Sequence, residues 1–164
     1  MLKKSVALFS LALVAVVAVG CGKSNKPSDM GELGGCVVKV TQDGAPLEGA
    51  DVIFHAQDPA NQKYTPSGRT NEKGEAVIRT YGLEGVPAGE YKVTVAKLHI
   101  EDGEVVVADD GSETVERGAE YQVVEAEYRD VNTTPLSITV TDPMTEVPTF
   151  DVGAPVNQEM DGAM

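Results

Sequence analysis

The stretch TQDGAPLEGADVIFHAQ, residues 41–57, decides how this chain is read. It sets Asp43-Gly44, Pro46 and Gly49 between two apolar runs, CVVKVT at 36–41 and ADVIFHAQ at 50–57. Asp-Gly between such runs is a strong turn dipeptide. Pro46 has no N–H to give to a ladder, so the chain is expected to leave the sheet there. Gly49 allows a backbone conformation that other residues resist and is expected to reverse the chain. In the second run Val52 and Phe54 share one face and Ile53 takes the other, so this strand should be covered on both sides.

The same grammar continues outward. EAVIRTY (75–81) puts Ala76 and Ile78 on one face and Val77, Arg79 and Tyr81 on the other. YKVTVAKL (91–98) turns Tyr91, Val93 and Val95 inward and Lys92 and Thr94 outward. LSITVT (136–141) points Leu136, Ile138 and Val140 inward, and VPTFDV (147–152) reads as a last strand with Phe150 buried. Residues 104–108 read as an extra strand inside an acidic loop. No amphipathic helix is visible. The prediction is an all-β chain, an antiparallel two-sheet β-sandwich of about seven strands. Trp is absent and aromatics make up 5% of the chain, so Val, Ile, Leu and Ala must fill the core around Phe54, Tyr91 and Phe150.

Four blocks of this pattern, in this order, resemble the carboxypeptidase regulatory-like domains. They are VTQDGAPLEGADVIFH, GRTNEKGEAVIRTY, VPAGEYKVTV and EYRDVNTTPLSITV. The second is similar to that family's T-D-x-x-G turn, with Asn71 where Asp is usual. The third is similar to its P-x-G-x-Y-x-V-x-V strand start. The fourth is similar to the tail of a subset found as bacterial surface lipoproteins. The resemblance implies a transthyretin-like (prealbumin-like) sandwich and assigns these residues fold-specifying roles.

The amino-terminal end reads as an export signal. Met1 to Lys4 carries positive charge and residues 5–20 are almost wholly apolar. Ala18-Val19-Gly20-Cys21 resembles the bacterial lipobox, with Ala where Leu is usual. The resemblance implies cleavage before Cys21 and lipid attached to it. Several acyl chains would anchor the protein stably, since each buried CH₂ contributes about 0.8 kcal/mol. Residues 1–20 are thus assigned to a lipoprotein signal peptide and residues 21–35 to a flexible linker. The sandwich takes residues 36–152, and residues 153–164 form a disordered tail. Gly22, rather than Asp, follows the Cys, which by resemblance to enterobacterial sorting points to the outer membrane.

The full chain carries a net charge of −13. Loss of Lys3 and Lys4 with the signal leaves 11 basic against 26 acidic residues, a net of −15. This argues against nucleic acid and against adsorption to anionic lipid. With Cys21 lipidated, Cys36 is the one remaining thiol, so no intrachain disulfide is available, and it reads as a small buried hydrophobe. His55 and His99 are the two histidines, a poor set for a transition metal. Asp102, Glu104, Asp109, Asp110 and Glu113 crowd a glycine-hinged segment and form a candidate calcium site, weighed against a plain solvated loop. No other cofactor is called for.

No nucleophile turn, phosphate loop or zinc-protease motif appears. The expected function is therefore a non-enzymatic, membrane-anchored lipoprotein of the bacterial cell envelope, a binding or structural module that meets another envelope protein or a polysaccharide. The alternative is a carbohydrate-active or hydrolytic protein using acidic loop residues. A concave site holding two acids and a Tyr would favour the alternative.

Overall fold

The computed structural model describes residues 26–102, 105–107, 113–115 and 118–159. The first segments are β1 (Leu33–Gly34), β2 (Val37–Gln42), β3 (Ala45–Pro46), β4 (Asp51–Ala56), β5 (Ser67–Arg69), β6 (Glu75–Val77) and β7 (Arg79–Thr80). They are followed by β8 (Leu83–Glu84), β9 (Val86–Pro87), β10 (Gly89–Ala96), β11 (Leu98–Ile100), β12 (Val105–Val107), β13 (Glu113–Val115) and β14 (Glu120–Gln122). A single helical turn, α1 (Ala126–Arg129), precedes β15 (Ser137–Val140), β16 (Thr149–Asp151) and β17 (Gln158–Glu159). The described chain is nearly all-β, as the alternating runs require.

Two larger sheets face one another. One runs β15-β10-β4-β5-β7-β8, and the other centres on β2 with β16 on one edge and β3 and β6 on the opposite edge. Val38, Val40, Ala76 and Phe150 from the second sheet join Val52, Phe54, Tyr91, Val93, Val95 and Val140 from the first in one hydrophobic cluster. The arrangement is sandwich-like, and the inward residues are those that the alternation assigns. Full burial of each such side chain contributes roughly 1.5–3 kcal/mol.

Three features depart from the sequence reading. The strands are shorter and more numerous than about seven, and one run divides between the sheets. Glu75–Val77 pairs with β2, whereas Arg79 pairs with Ser67 and Glu84 in the other sheet. At the crossing, the Ile78 N–H donates to the Cys36 carbonyl (2.9 Å) and its own carbonyl accepts from Gly85 N–H (2.9 Å). The sandwich is also not wholly antiparallel, since β16 lies parallel to β2. β15 ends where β10 begins, with Val140 opposite Gly89. The chain then crosses to the other sheet at that end, so β16 starts alongside the start of β2 and runs with it. Third, β12 pairs antiparallel with β13, where only one strand is expected.

The opening motif behaves as its residues demand. Asp43 and Gly44 both take positive φ, 51° and 76°, and close a two-residue hairpin between Gln42 and Ala45. Asp151 holds this turn: its carboxylate accepts from Thr41 Oγ1 (2.7 Å), Gly44 N (3.0 Å) and Gly153 N (2.9 Å). These bonds, that from Thr41 foremost, keep its pKa below the usual carboxylate value. Pro46 stays in the ladder, contrary to expectation, opposite Thr41. Leu47 N–H makes the next bond, to Val40 O (3.0 Å), so the ladder asks nothing of the proline nitrogen. The Asn71 side-chain carbonyl accepts from Lys73 N (2.9 Å) and Glu75 N (3.0 Å), the work a carboxylate would do there. Tyr91 is buried beneath the Pro-Ala-Gly corner and donates to Pro87 O (2.8 Å).

Described residues of the expected linker and tail also join the sheets. Met30, in the expected linker, is buried, and Leu33–Gly34 pairs with Val86–Pro87. Two apolar side chains amid polar residues suffice when a neighbouring strand offers an edge. In the expected tail, Gln158–Glu159 pairs with Tyr121–Gln122, forming a small third sheet, β11-β14-β17.

Gly74 is the tightest point of this frame. Its φ is +74°, and a Cβ there would lie 2.4 Å from the Val40 carbonyl oxygen. Gly44, with φ of +76°, has open space around it. Urea unfolding should therefore separate the two alanine variants. Gly44→Ala is expected to lose about 1–2 kcal/mol from backbone strain alone, and Gly74→Ala about 3 kcal/mol or more. Equal losses would show that the close approach to Val40 is relieved cheaply.

Candidate functional site

The outward face of β4 and β10 carries a broad concavity. Cross-strand pairing sets Ile53 opposite Thr94 and His55 opposite Lys92, and all four point away from the core. Ile53, His55 and Thr94 form a floor. The wall is the segment 126–133, which contributes Ala126, Glu127, Arg129, Asp130, Val131 and Thr133. The open groove between them has a volume of about 740 Å³. A smaller recess of about 250 Å³ shares His55 and Val131 with it and reaches Gln62, Tyr64 and Thr65.

Local polar chemistry fastens the wall to the sheet. The Asp130 carbonyl accepts from Thr134 N (2.9 Å), and its side chain accepts from Asn132 N (2.8 Å) and Asn132 Nδ2 (2.9 Å). This is a turn that the Asp side chain itself caps. Thr133 Oγ1 donates to Glu127 O (2.9 Å) and ties the turn back to α1. Thr134, itself buried, donates to Val93 O (2.7 Å), while Lys92 Nζ donates to Thr134 O (3.2 Å). Two bonds thus join the wall to β10. Thr94, which the alternation exposes, is buried beneath this wall.

His55 marks the junction of groove and recess. Its Nε2 lies 2.9 Å from Thr94 Oγ1. Burial disfavours the charged ring and lowers its pKa below 6.5. Glu127 and Asp130 stand at the rim, both exposed. Neither sits in the apolar enclosure that a carboxylic general acid requires. Arg129 donates from its guanidinium to the Gln158 side chain of the third sheet. The groove can hold a flat or extended partner by apolar contact with Ile53 and Val131, with acids and a histidine around it.

Of the residues weighed from the sequence, His55 lies in this groove. His99 lies on β11, opposite Tyr121, and is not joined to His55. Cys36 is buried in the core, and burial pushes its thiol up to about 11, far from reactive. Of the calcium candidates, Asp102 is exposed and Glu113 begins β13, while Glu104, Asp109 and Asp110 lie outside the described residues, as does Cys21. Among the described residues no group of three or more His, Cys, Asp or Glu side chains could hold a metal ion. Sequence reading missed the groove, although EYRDVNTTP, which builds its wall, was singled out as a block. No family model matches the chain, and neither a curated protein nor a solved structure does.

The lowered pKa of His55 sets a pH dependence. As pH falls, the unfolded chain takes up this proton before the folded one. The stability that neutral His55 contributes is full above 6.5 and is lost as pH falls from 6.5 towards the lower folded value. Thermal melts from about pH 7.5 to about pH 5 should show a smaller loss for His55→Gln than for the parent chain. Equal losses would assign the slope to other groups.

Proposed function

We propose that the protein is a non-enzymatic lipoprotein of the bacterial cell envelope, anchored through acylated Cys21, whose sandwich binds a neighbouring envelope protein or a polysaccharide. The observation that carries the binding role is the groove beside His55: a broad, open concavity with Ile53, His55 and Thr94 as its floor and a wall drawn from residues 126–133. Its openness suits a macromolecular surface better than a small enclosed substrate. Two acids stand at its rim, but they are exposed, and Tyr128 packs against the core instead of lining the groove. That arrangement favours binding over hydrolysis.

The finer fold assignment, a transthyretin-like sandwich, draws support from the placement of the four sequence blocks. Asp43-Gly44, the Asn71 turn and the Tyr91 corner each stand at a chain reversal or strand start. The anchor rests on the apolar leader and the Ala18-Val19-Gly20-Cys21 box, and Gly22 favours the outer membrane.

Two measurements test the reading. Intact mass and fractionation of the full chain should show an acylated Cys21 and membrane association, both lost in Cys21→Ala. A parent chain without acyl mass would refute the anchor. Affinity capture from solubilised envelopes should retain a partner with the parent chain and lose it with Val131→Asp. This change lies at an exposed groove position and should leave stability within about 0.5 kcal/mol. Retention of the same partner by both would move the binding surface elsewhere.

A further inference from the structure

The segment that leads to the anchor is bolted to one end of the sandwich. The Asp29 carboxylate accepts from Tyr64 OH (2.7 Å) and pairs with Lys63. Met30 is buried just beyond, and Leu33–Gly34 then pairs with β9. Only the seven residues Gly22 to Ser28 separate Cys21 from Asp29, where the fastened stretch begins. Seven residues span at most about 25 Å when fully extended.

That end also gathers exposed apolar surface. Val37 and Val77 are cross-strand partners on the outer face of the β2 sheet, 36% and 44% exposed. Val147, 56% exposed, precedes β16, which starts beside the start of β2. Tyr81 is 66% exposed and stands at the tip of the turn between β7 and β8. Its φ is +53°, a conformation that a bulky residue rarely takes and that favours glycine or asparagine. Its ring meets the edge of Tyr64 at 5.9 Å, so it is one contact from the Asp29 clamp. Leu98 and Ile100 are exposed beyond the far end of β10, nine residues from Gly89, which corresponds to about 30 Å along an extended chain.

The charges here are largely matched. Lys26 pairs with Glu32, Lys63 with Asp29, and Arg79 with Glu84. Asp58, Asp142 and Glu146 add exposed negative charge. Such a surface is compatible with zwitterionic lipid and is repelled by anionic lipid.

We infer that this end is a membrane-contact face: the short tether seats it on a zwitterionic phospholipid surface, with Tyr81 at headgroup level and Val147, Val37 and Val77 beside it. The inference rests on the proposed anchor at Cys21. A tyrosine ring suits that depth because its body is apolar and its tip is wet. The docked segment fixes the orientation and turns the β11-β14-β17 sheet away from the bilayer.

The test uses the absence of Trp from the chain. Full-length Y81W, V147W and L98W are purified from membranes and reconstituted into phosphatidylcholine vesicles with brominated acyl chains. Indole emission of Y81W and V147W should fall by about half relative to unbrominated vesicles, with L98W unchanged. The second probe at the same end covers a failure of Y81W to fold. Replacing phosphatidylcholine with phosphatidylglycerol should weaken the quenching. Equal quenching at all three positions, or none at 81 and 147, overturns the contact face. Intact mass reports the anchor separately. If Cys21 carries no acyl group, the chain is coupled through the Cys21 thiol to a maleimide lipid and the same three positions are read. Buried Cys36 does not compete for the coupling. Quenching confined to 81 and 147 then supports the face without the native anchor, and its absence refutes both.

Discussion

The run from Glu75 to Thr80 belongs to both large sheets, and the rest of the sandwich is arranged around that fact. Its first half hydrogen-bonds to β2 and its second half to β5 and β8. Ile78 sits at the changeover, fully buried, with both backbone groups satisfied by Cys36 and Gly85. A buried backbone group without a partner costs about as much as a lost hydrogen bond. The crossing therefore fixes where the chain around Cys36 and the turn at Gly85 must lie. It also demands small residues beside it. A Cβ on Gly68 would stand 2.7 Å from the Val77 carbonyl oxygen. The two layers are joined by one covalent strand as well as by packing, which fixes their spacing.

The groove follows from the same frame. A strand buried on its inner face still presents every second residue outward. Ile53, His55, Lys92 and Thr94 come together because β4 and β10 pair in one register. They become a site only when the segment after Val124 crosses over them. Two bonds at Thr134, to Val93 O and from Lys92 Nζ, hold the end of that segment against β10, and residues 126–133 before it form the wall. The resulting concavity is framed by a rigid floor and a short-range turn, a common way for a stable scaffold to carry a variable binding surface. The same wall explains why His55 and Thr94, polar residues on a nominally exposed face, are shielded and bonded to each other.

The two ends of the sandwich differ in kind. At one end the incoming chain is clamped by Asp29, Lys63 and Tyr64, and exposed valines and Tyr81 gather around it. The Lys63 and Tyr64 bonds hold the Asp29 pKa at about 2, so the clamp stays ionised over the whole physiological range. At the other end lies the small third sheet, β11-β14-β17. This polarity arises from strand direction: β2 and β16 start, and β4 and β15 finish, at the clamped end.

The sequence by itself determined the strands that alternate and the turns that need special residues. Tyr91, Val93, Val95, Ala76, Ile78, Ile138 and Phe150 point inward as their spacing requires, because side-chain direction along a strand is a local property. Asp43-Gly44 and Asn71 were legible for the same reason: their φ preferences and side-chain bonds act within a few residues. Tertiary structure alone decided the rest. Alternation cannot reveal which sheet a strand joins, so the division of residues 75–80 and the parallel pairing of β16 were invisible. Nor can it reveal a partner edge for a polar segment, so the docking of residues 29–34 and the pairing of Gln158–Glu159 were missed. The groove is the clearest case: Ile53 and His55 of its floor lie more than 70 positions from its wall in the chain, and only the register of β4 on β10 and the bonds of Thr134 bring them together.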